Sequence, residues 1–124
     1  MQTDQSKEII LNKPMNRPWG YYIVTSFGKG YETKIIHVNP GQKLSVQSHN
    51  YRSEHWFVLS GKANVILDDK ELILNPGQSV DIPVKAKHSL QNLQTSDLEI
   101  IEIQTGEILS EEDIIRYSDI YGRV

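Results

Sequence analysis

From Gly20 to Gln104 the chain is a succession of short segments rich in β-branched and aromatic residues, each closed by a turn signal, with no helical periodicity between them. This pattern limits the fold more than any single residue does. Strands are expected over 20–27, 31–38, 43–49, 54–60, 63–67, 71–74, 79–82, 88–92 and 98–104. The breaks are Gly28-Lys29-Gly30, Asn39-Pro40-Gly41, Ser60-Gly61, Asp68-Asp69 and Asn75-Pro76-Gly77. Each supplies the fixed or positive φ that a reversing chain needs. Strands at this spacing without intervening helices predict an all-β fold, an antiparallel sandwich or jelly roll. Asn39-Pro-Gly-Gln42 recurs as Asn75-Pro-Gly-Gln78, which reads as two corners sharing one turn chemistry, with a pseudo-repeated barrel as the alternative.

The ends depart from this pattern. Residues 1–16 are expected to form a polar tail and edge segment, with 8–11 pairing as a short strand before Pro14 and Pro18 interrupt it, and 17–124 to form the domain proper. Ser110 followed by Glu111, Glu112 and Asp113 resembles a helix start, with a hydroxyl cap and acids in the first turn, and predicts a short C-terminal helix over Ile114 and Ile115.

Composition removes several function classes. At 124 residues a single domain is expected. With 13 Lys plus Arg against 16 Asp plus Glu, the net charge of −3 gives no field for a phosphate backbone, so nucleic acid is not an expected partner. The absence of cysteine excludes disulfides, thiolate nucleophiles and Cys-ligated zinc, leaving His, carboxylate and amide oxygen as metal donors. No run approaches a membrane span or a signal peptide, so no membrane association and a soluble, cytoplasmic protein are expected.

Among the remaining donors, Gln47 and His49 stand two residues apart and so share one face of a strand. Glu54 follows after a short turn, and His88 opens a strand far downstream. Two imidazoles, a carboxylate and an amide oxygen suit a borderline divalent ion with positions left open. Spacing alone leaves ordinary packed or surface histidines as the alternative.

The frame around these residues is more specific. Gly41, Gln47, His49, Glu54 and Gly61 resemble the first motif of the cupins, with Gln47 where that motif has His, and Gly77, Pro83, His88 and Asn92 resemble the second. The resemblance implies a cupin double-stranded β-helix holding an ion on Gln47, His49, Glu54 and His88. A narrower likeness runs through Arg17-Pro-Trp-Gly20, Leu44-Ser-Val-Gln-Ser-His49, Arg52-Ser-Glu-His-Trp56, Ile82-Pro83, Ile101-Glu-Ile-Gln-Thr-Gly106, Glu112-Asp-Ile-Ile-Arg116 and Asp119-Ile-Tyr-Gly-Arg123. These segments are similar to the C-terminal domain of type II mannose-6-phosphate isomerases, often fused behind a mannose-1-phosphate guanylyltransferase. No nucleotidyltransferase signature occurs in these residues.

That family resemblance implies zinc, with Mn, Ni, Co or Fe as alternatives, and interconversion of mannose 6-phosphate and fructose 6-phosphate in the supply of GDP-mannose and polysaccharide precursors. An amide in place of imidazole gives less charge to the ion and leaves it a stronger Lewis acid. Arg52, between two ligands, and Lys34 are expected to face the substrate, and Arg123 is a weaker candidate for its phosphate. His37 and His55 are expected to be structural, and the residue that serves as proton-transfer base is not identified by the sequence. The chain departs from the family pattern at Asn50, Tyr51, Lys85 and Ser89; Lys85 stands where a Gly is usual, so its turn must avoid positive φ or accept strain. On the strand from Glu54, one face carries Glu54, Trp56 and Val58 and the other His55, Phe57 and Leu59; either the N-terminal segment or a second subunit covers the second, and a homodimer is the favoured expectation. A non-catalytic metal- or sugar-binding cupin and an iron-dependent dioxygenase are the alternative functions.

Overall fold

A computed structural model describes residues 9–107, 109 and 113–122. Alternation of apolar and polar side chains, closed by Gly, Pro and Asp turns, yields eleven strands in two antiparallel sheets. In chain order they are β1 (Met15–Arg17), β2 (Gly20–Gly28), β3 (Tyr31–Val38), β4 (Val46–Ser48), β5 (Arg52–Ser60), β6 (Ala63–Leu67), β7 (Lys70–Leu74), β8 (Ser79–Ile82), β9 (His88–Gln91), β10 (Leu98–Gly106) and β11 (Ile115–Ser118). The first sheet has the order β1-β2-β3-β10-β5-β8 and the second β11-β4-β9-β6-β7. From β3 onward the chain passes from one sheet to the other at every step except the β6–β7 hairpin, as in the cupin double-stranded β-helix. Inward residues of both sheets, among them Trp19, Val38, Trp56, Val65, Leu90 and Ile100, form one buried cluster.

All nine expected strands form, that over 43–49 being shorter: β4 covers Val46–Ser48, and Lys43 makes only an isolated bridge to Gln91. Both Asn-Pro-Gly corners adopt the same geometry. Gln42 N–H donates to Asn39 O at 3.1 Å and Gln78 N–H to Asn75 O at 3.0 Å, with Gly41 at φ 76° and Gly77 at φ 87°. Gly61 lets the chain pass against Asp97 and Leu98, where a Cβ would collide with backbone.

Two expectations at the ends need correction. Glu8 lies outside the described residues, and the segment after it touches the sheet only through a Leu11–Val24 bridge, while Met15–Arg17, between the two prolines, form β1. Of the expected C-terminal helix, residues 110–112 lie outside the described residues, and the stretch that would continue it is strand β11. β11 pairs antiparallel with β4, whose outer edge would otherwise present unpaired backbone groups, and Ile115 and Tyr117 favour an extended chain. Among the described residues no helix is long and apolar enough to cross a membrane.

Candidate metal centre

β4 and β9 are neighbours, and Gln47 is the register partner of His88, so both side chains leave the same face of the second sheet. His49 follows β4 directly, and Glu54 faces them from β5 of the first sheet. One donor atom from each of His49, Glu54 and His88 lies within 4.8 Å of the others, and all three residues are buried. The imidazole centroids are 5.0 Å apart.

Each ligand is oriented by a further contact. His49 Nδ1–H donates to the Asp113 carbonyl at 3.0 Å, and His88 Nδ1–H to the Ala86 carbonyl at 2.9 Å. Both Nε2 lone pairs are thereby kept for the site. Trp56 Nε1–H donates to Glu54 Oε1 at 2.8 Å. The amide nitrogen of Gln47 donates to Ser45 Oγ at 2.8 Å, which leaves its carbonyl oxygen as a fourth donor.

The charge states suit a cation. Burial would raise the Glu54 carboxyl, but its neighbours His49, Arg52 and His88 outweigh it, and Glu54 is held well below the usual carboxylate range. Burial lowers His88 and favours the neutral imidazole that ligation requires. Two imidazole nitrogens and an ionised carboxylate therefore fit a divalent ion with open positions, and Gln47, the register partner of His88, stands beside them.

The cavity around the triad brings together most of the expected residues. Arg52 lines its wall rather than a solvated loop, 6% exposed, with Nε 3.0 Å and Nη2 2.9 Å from Glu54 Oε2 and Nη2 3.2 Å from His49 Nε2. Lys34 lines it from β3, 3.5 Å from Glu32 and over the Tyr22 ring at 4.4 Å. Trp19 and Trp56 serve both the wall and the core. Arg123 lies outside the described residues. His55 and His37 sit on the outer face, on Asp81 at 2.6 Å and Glu99 at 3.0 Å. Of the four altered positions, Ser89 stands among the lining residues and is tied to the Leu44 carbonyl, while Asn50, Tyr51 and Lys85 do not. Lys85 does take the positive φ, at 68°.

Four contributors were not read from the sequence. Glu102 and Gln104 continue the inward row of Leu98 and Ile100 on β10, and a polar pair on an otherwise apolar inner face was the available signal. Burial and then the Glu54 charge raise the Glu102 carboxyl to about 8, and it hydrogen-bonds Glu54 while accepting from Gln104 Nε2 at 2.7 Å. Asp113 accepts from the amides of Asn50 and Tyr51, both at 2.9 Å, and so pins the loop between two ligands. Arg116 reaches the cavity from β11. Asp113 and Arg116 lie in the segment Glu112-Asp-Ile-Ile-Arg116 that carries the family likeness, but their roles depend on β11 closing over β4.

The fold has solved counterparts: a capsular polysaccharide assembling protein, CapF, from Staphylococcus aureus superposes with TM-score 0.73 at 21% identity, covering 84% of this chain and 33% of that one. In sequence, a mannose-1-phosphate guanylyltransferase of Salmonella montevideo is 41% identical over 99% of this chain and 26% of its own length. The alginate biosynthesis protein AlgA of Pseudomonas aeruginosa is 48% identical over 86% of this chain and 22% of its own. The chain thus spans about a quarter of these curated relatives. The family model for the mannose-6-phosphate isomerase C-terminal domain matches residues 4–119, and the chain belongs to that family.

Proposed function

We propose that this domain is a metal-dependent aldose–ketose isomerase that interconverts mannose 6-phosphate and fructose 6-phosphate, with zinc as its ion. The observation that carries this is the His49–Glu54–His88 triad, of which Glu54 and His88 line a cavity together with Arg17, Lys34, Arg52 and Arg116. A neutral imidazole pair with one carboxylate selects a divalent cation, and the surrounding positive charge selects an anionic substrate. Family membership and relatives named for mannose 1-phosphate and alginate metabolism support a sugar phosphate in the supply of GDP-mannose and polysaccharide precursors, a cytoplasmic role.

A bound divalent ion would polarise the sugar carbonyl and stabilise charge on its oxygen. The chain's own residues supply the rest. The isomerisation moves a proton between C2 and C1 of the open-chain sugar, which needs a group able to take it and return it. Glu102 fills that role: it is a carboxyl in the cavity wall outside the triad, held by Gln104. Arg52 keeps Glu54 ionised and oriented and offers a planar fork to sugar oxygens. Lys34, over Tyr22, adds positive charge. Trp19 and Trp56 exclude water from one wall. The domain acts as a homodimer through the outer face of the first sheet.

The test is a coupled assay of purified, zinc-loaded protein with mannose 6-phosphate, beside His88→Ala. Turnover that disappears in the variant together with bound zinc is expected. A folded, zinc-loaded wild type without turnover would sink the isomerase assignment, and undiminished activity in His88→Ala would refute the metal assignment.

A further inference from the structure

The cavity is more basic than the molecule that contains it. The chain carries a net charge of −3, yet among the described residues Arg17, Lys34, Arg52 and Arg116 line one cavity together with two carboxylates, Glu54 and Glu102. These four cations are not equally available. Arg52 is held by Glu54 and His49 beside the triad, and Lys34 stands 3.5 Å from Glu32. Arg17 donates to the Asn16 carbonyl at 2.8 Å and to the Tyr22 hydroxyl at 3.3 Å, and its guanidinium lies over the same Tyr22 ring that Lys34 covers.

Arg116 differs from the rest. Its Nε–H is buried and donates to no acceptor among the described residues. A buried donor on a guanidinium, left without an acceptor, costs free energy that an incoming anion recovers. Its position is fixed by the sheet: Arg116 is the register partner of Gln47, and Gln47 of His88. Neighbouring strands are about 4.8 Å apart, so Arg116 stands roughly 10 Å from His88 along one row of side chains. That span is comparable to an extended hexose phosphate, with its carbonyl end at the triad and its phosphoryl end at β11.

We propose that Arg116 is the centre of a phosphoryl subsite, flanked by Arg17 and Lys34, that holds the phosphate monoester of the sugar while the triad faces the carbonyl. The identity of the sugar rests on the isomerase assignment; the recognition of a phosphoryl dianion rests on Arg116 itself. A planar guanidinium donates two parallel hydrogen bonds to phosphate oxygens. The phosphoryl group does not react, so its binding energy is the same in ground and transition states and is read in KM rather than in kcat.

The experiment titrates zinc-loaded protein with mannose 6-phosphate, inorganic phosphate and unphosphorylated mannose, followed by the fluorescence of Trp19 and Trp56 in the cavity wall. Arg116→Gln should weaken mannose 6-phosphate and inorganic phosphate by about 10- to 100-fold, the loss of one charge-assisted bidentate pair. Affinity for mannose and zinc content should stay at the wild-type level, and KM should rise with kcat nearly unchanged. Arg116→Lys, which keeps the charge without the fork, should lie between, and Arg17→Gln should lose less than Arg116→Gln. If Arg116→Gln unfolds, these two variants carry the comparison. Wild-type phosphate affinity in folded Arg116→Gln, or an equal loss for mannose, overturns the subsite. Phosphate binding that depends on Arg116 in a protein without turnover overturns the isomerase assignment and leaves the subsite standing. Turnover with unchanged KM in Arg116→Gln does the reverse.

Discussion

Lys85 and Glu102 each hold a state that their residue type resists. Lys85 sits at φ 68° with its N–H on the His49 carbonyl at 2.6 Å, so the turn before His88 keeps a left-handed residue although a Cβ disfavours it. Its side chain is exposed, so removing that side chain costs little packing. Lys85→Gly should therefore stabilise the fold by about 1 kcal/mol, less the extra chain entropy of glycine, and Lys85→Val should destabilise it. Urea titration of the three proteins measures both. Glu102 is buried and its carboxyl is raised from the ordinary 4.5 to about 8, so the folded state binds its proton more tightly than the unfolded chain. That contribution to stability is fully present below 4.5 and is lost as pH rises through about 8. Glu102→Gln in chelator-treated protein should flatten the decline across that window, followed by urea titration at several pH values. The same variant, zinc-loaded, should lose about 100- to 10,000-fold in kcat, the usual loss of a general base, with zinc content unchanged. A loss of zinc in parallel would make Glu102 a ligand-supporting group instead.

At the scale of elements, the C-terminal stretch acts as a clamp on the ligand loop. Asp113 receives Asn50 and Tyr51 amides on its two carboxylate oxygens and His49 on its carbonyl, and β11 then pairs with β4. Ser48 adds a hydroxyl contact to Tyr117 at 2.9 Å, and Gly106, where a Cβ would meet Tyr51 and Arg52 backbone, lets β10 approach the other side of the loop. Asp113→Ala should lower zinc affinity by about 10- to 100-fold, as for other outer contacts of metal ligands. Competition against a chromophoric chelator measures it, and Asp113→Asn, which keeps one acceptor, should lose less. The strands of this fold were legible because turn residues punctuate them, whereas β11 was not. Ser110 to Asp113 satisfies the local rules of a helix start, and Ile115 to Ser118 is drawn into a strand by the open edge of β4, a partner distant in sequence. Asp113 does cap amide groups, but those of a loop 62 and 63 residues earlier.

At the scale of the molecule, what was legible of the site follows the same division. Gln47, His49, Glu54 and His88 were readable because two spaced motifs carried them, and the fold brings them together. Glu102 and Arg116 were not, because only sheet order makes β10 and β11 walls of the same cavity. Sheet order also creates the outer surface of the first sheet. Ile23, Ile35, Ile101 and Phe57 are successive register partners across β2, β3, β10 and β5, an apolar row four strands wide. Beside it Phe57, Leu59 and Ile103 are 38%, 39% and 37% exposed, while the His55–Asp81 and His37–Glu99 pairs lie on the same face. A twofold axis through this face would set the row against its own copy, and burying it is favourable by about 25 cal/mol for each Å² removed from water. Sedimentation equilibrium at micromolar concentration should therefore return a dimer. Phe57→Glu with Ile103→Glu should return a monomer that still binds zinc, since both side chains point away from the triad. A monomeric wild type would leave the apolar row uncovered in solution and overturn the dimer, whereas loss of zinc in the double variant would mean that the outer face supports the site through β5 and β10.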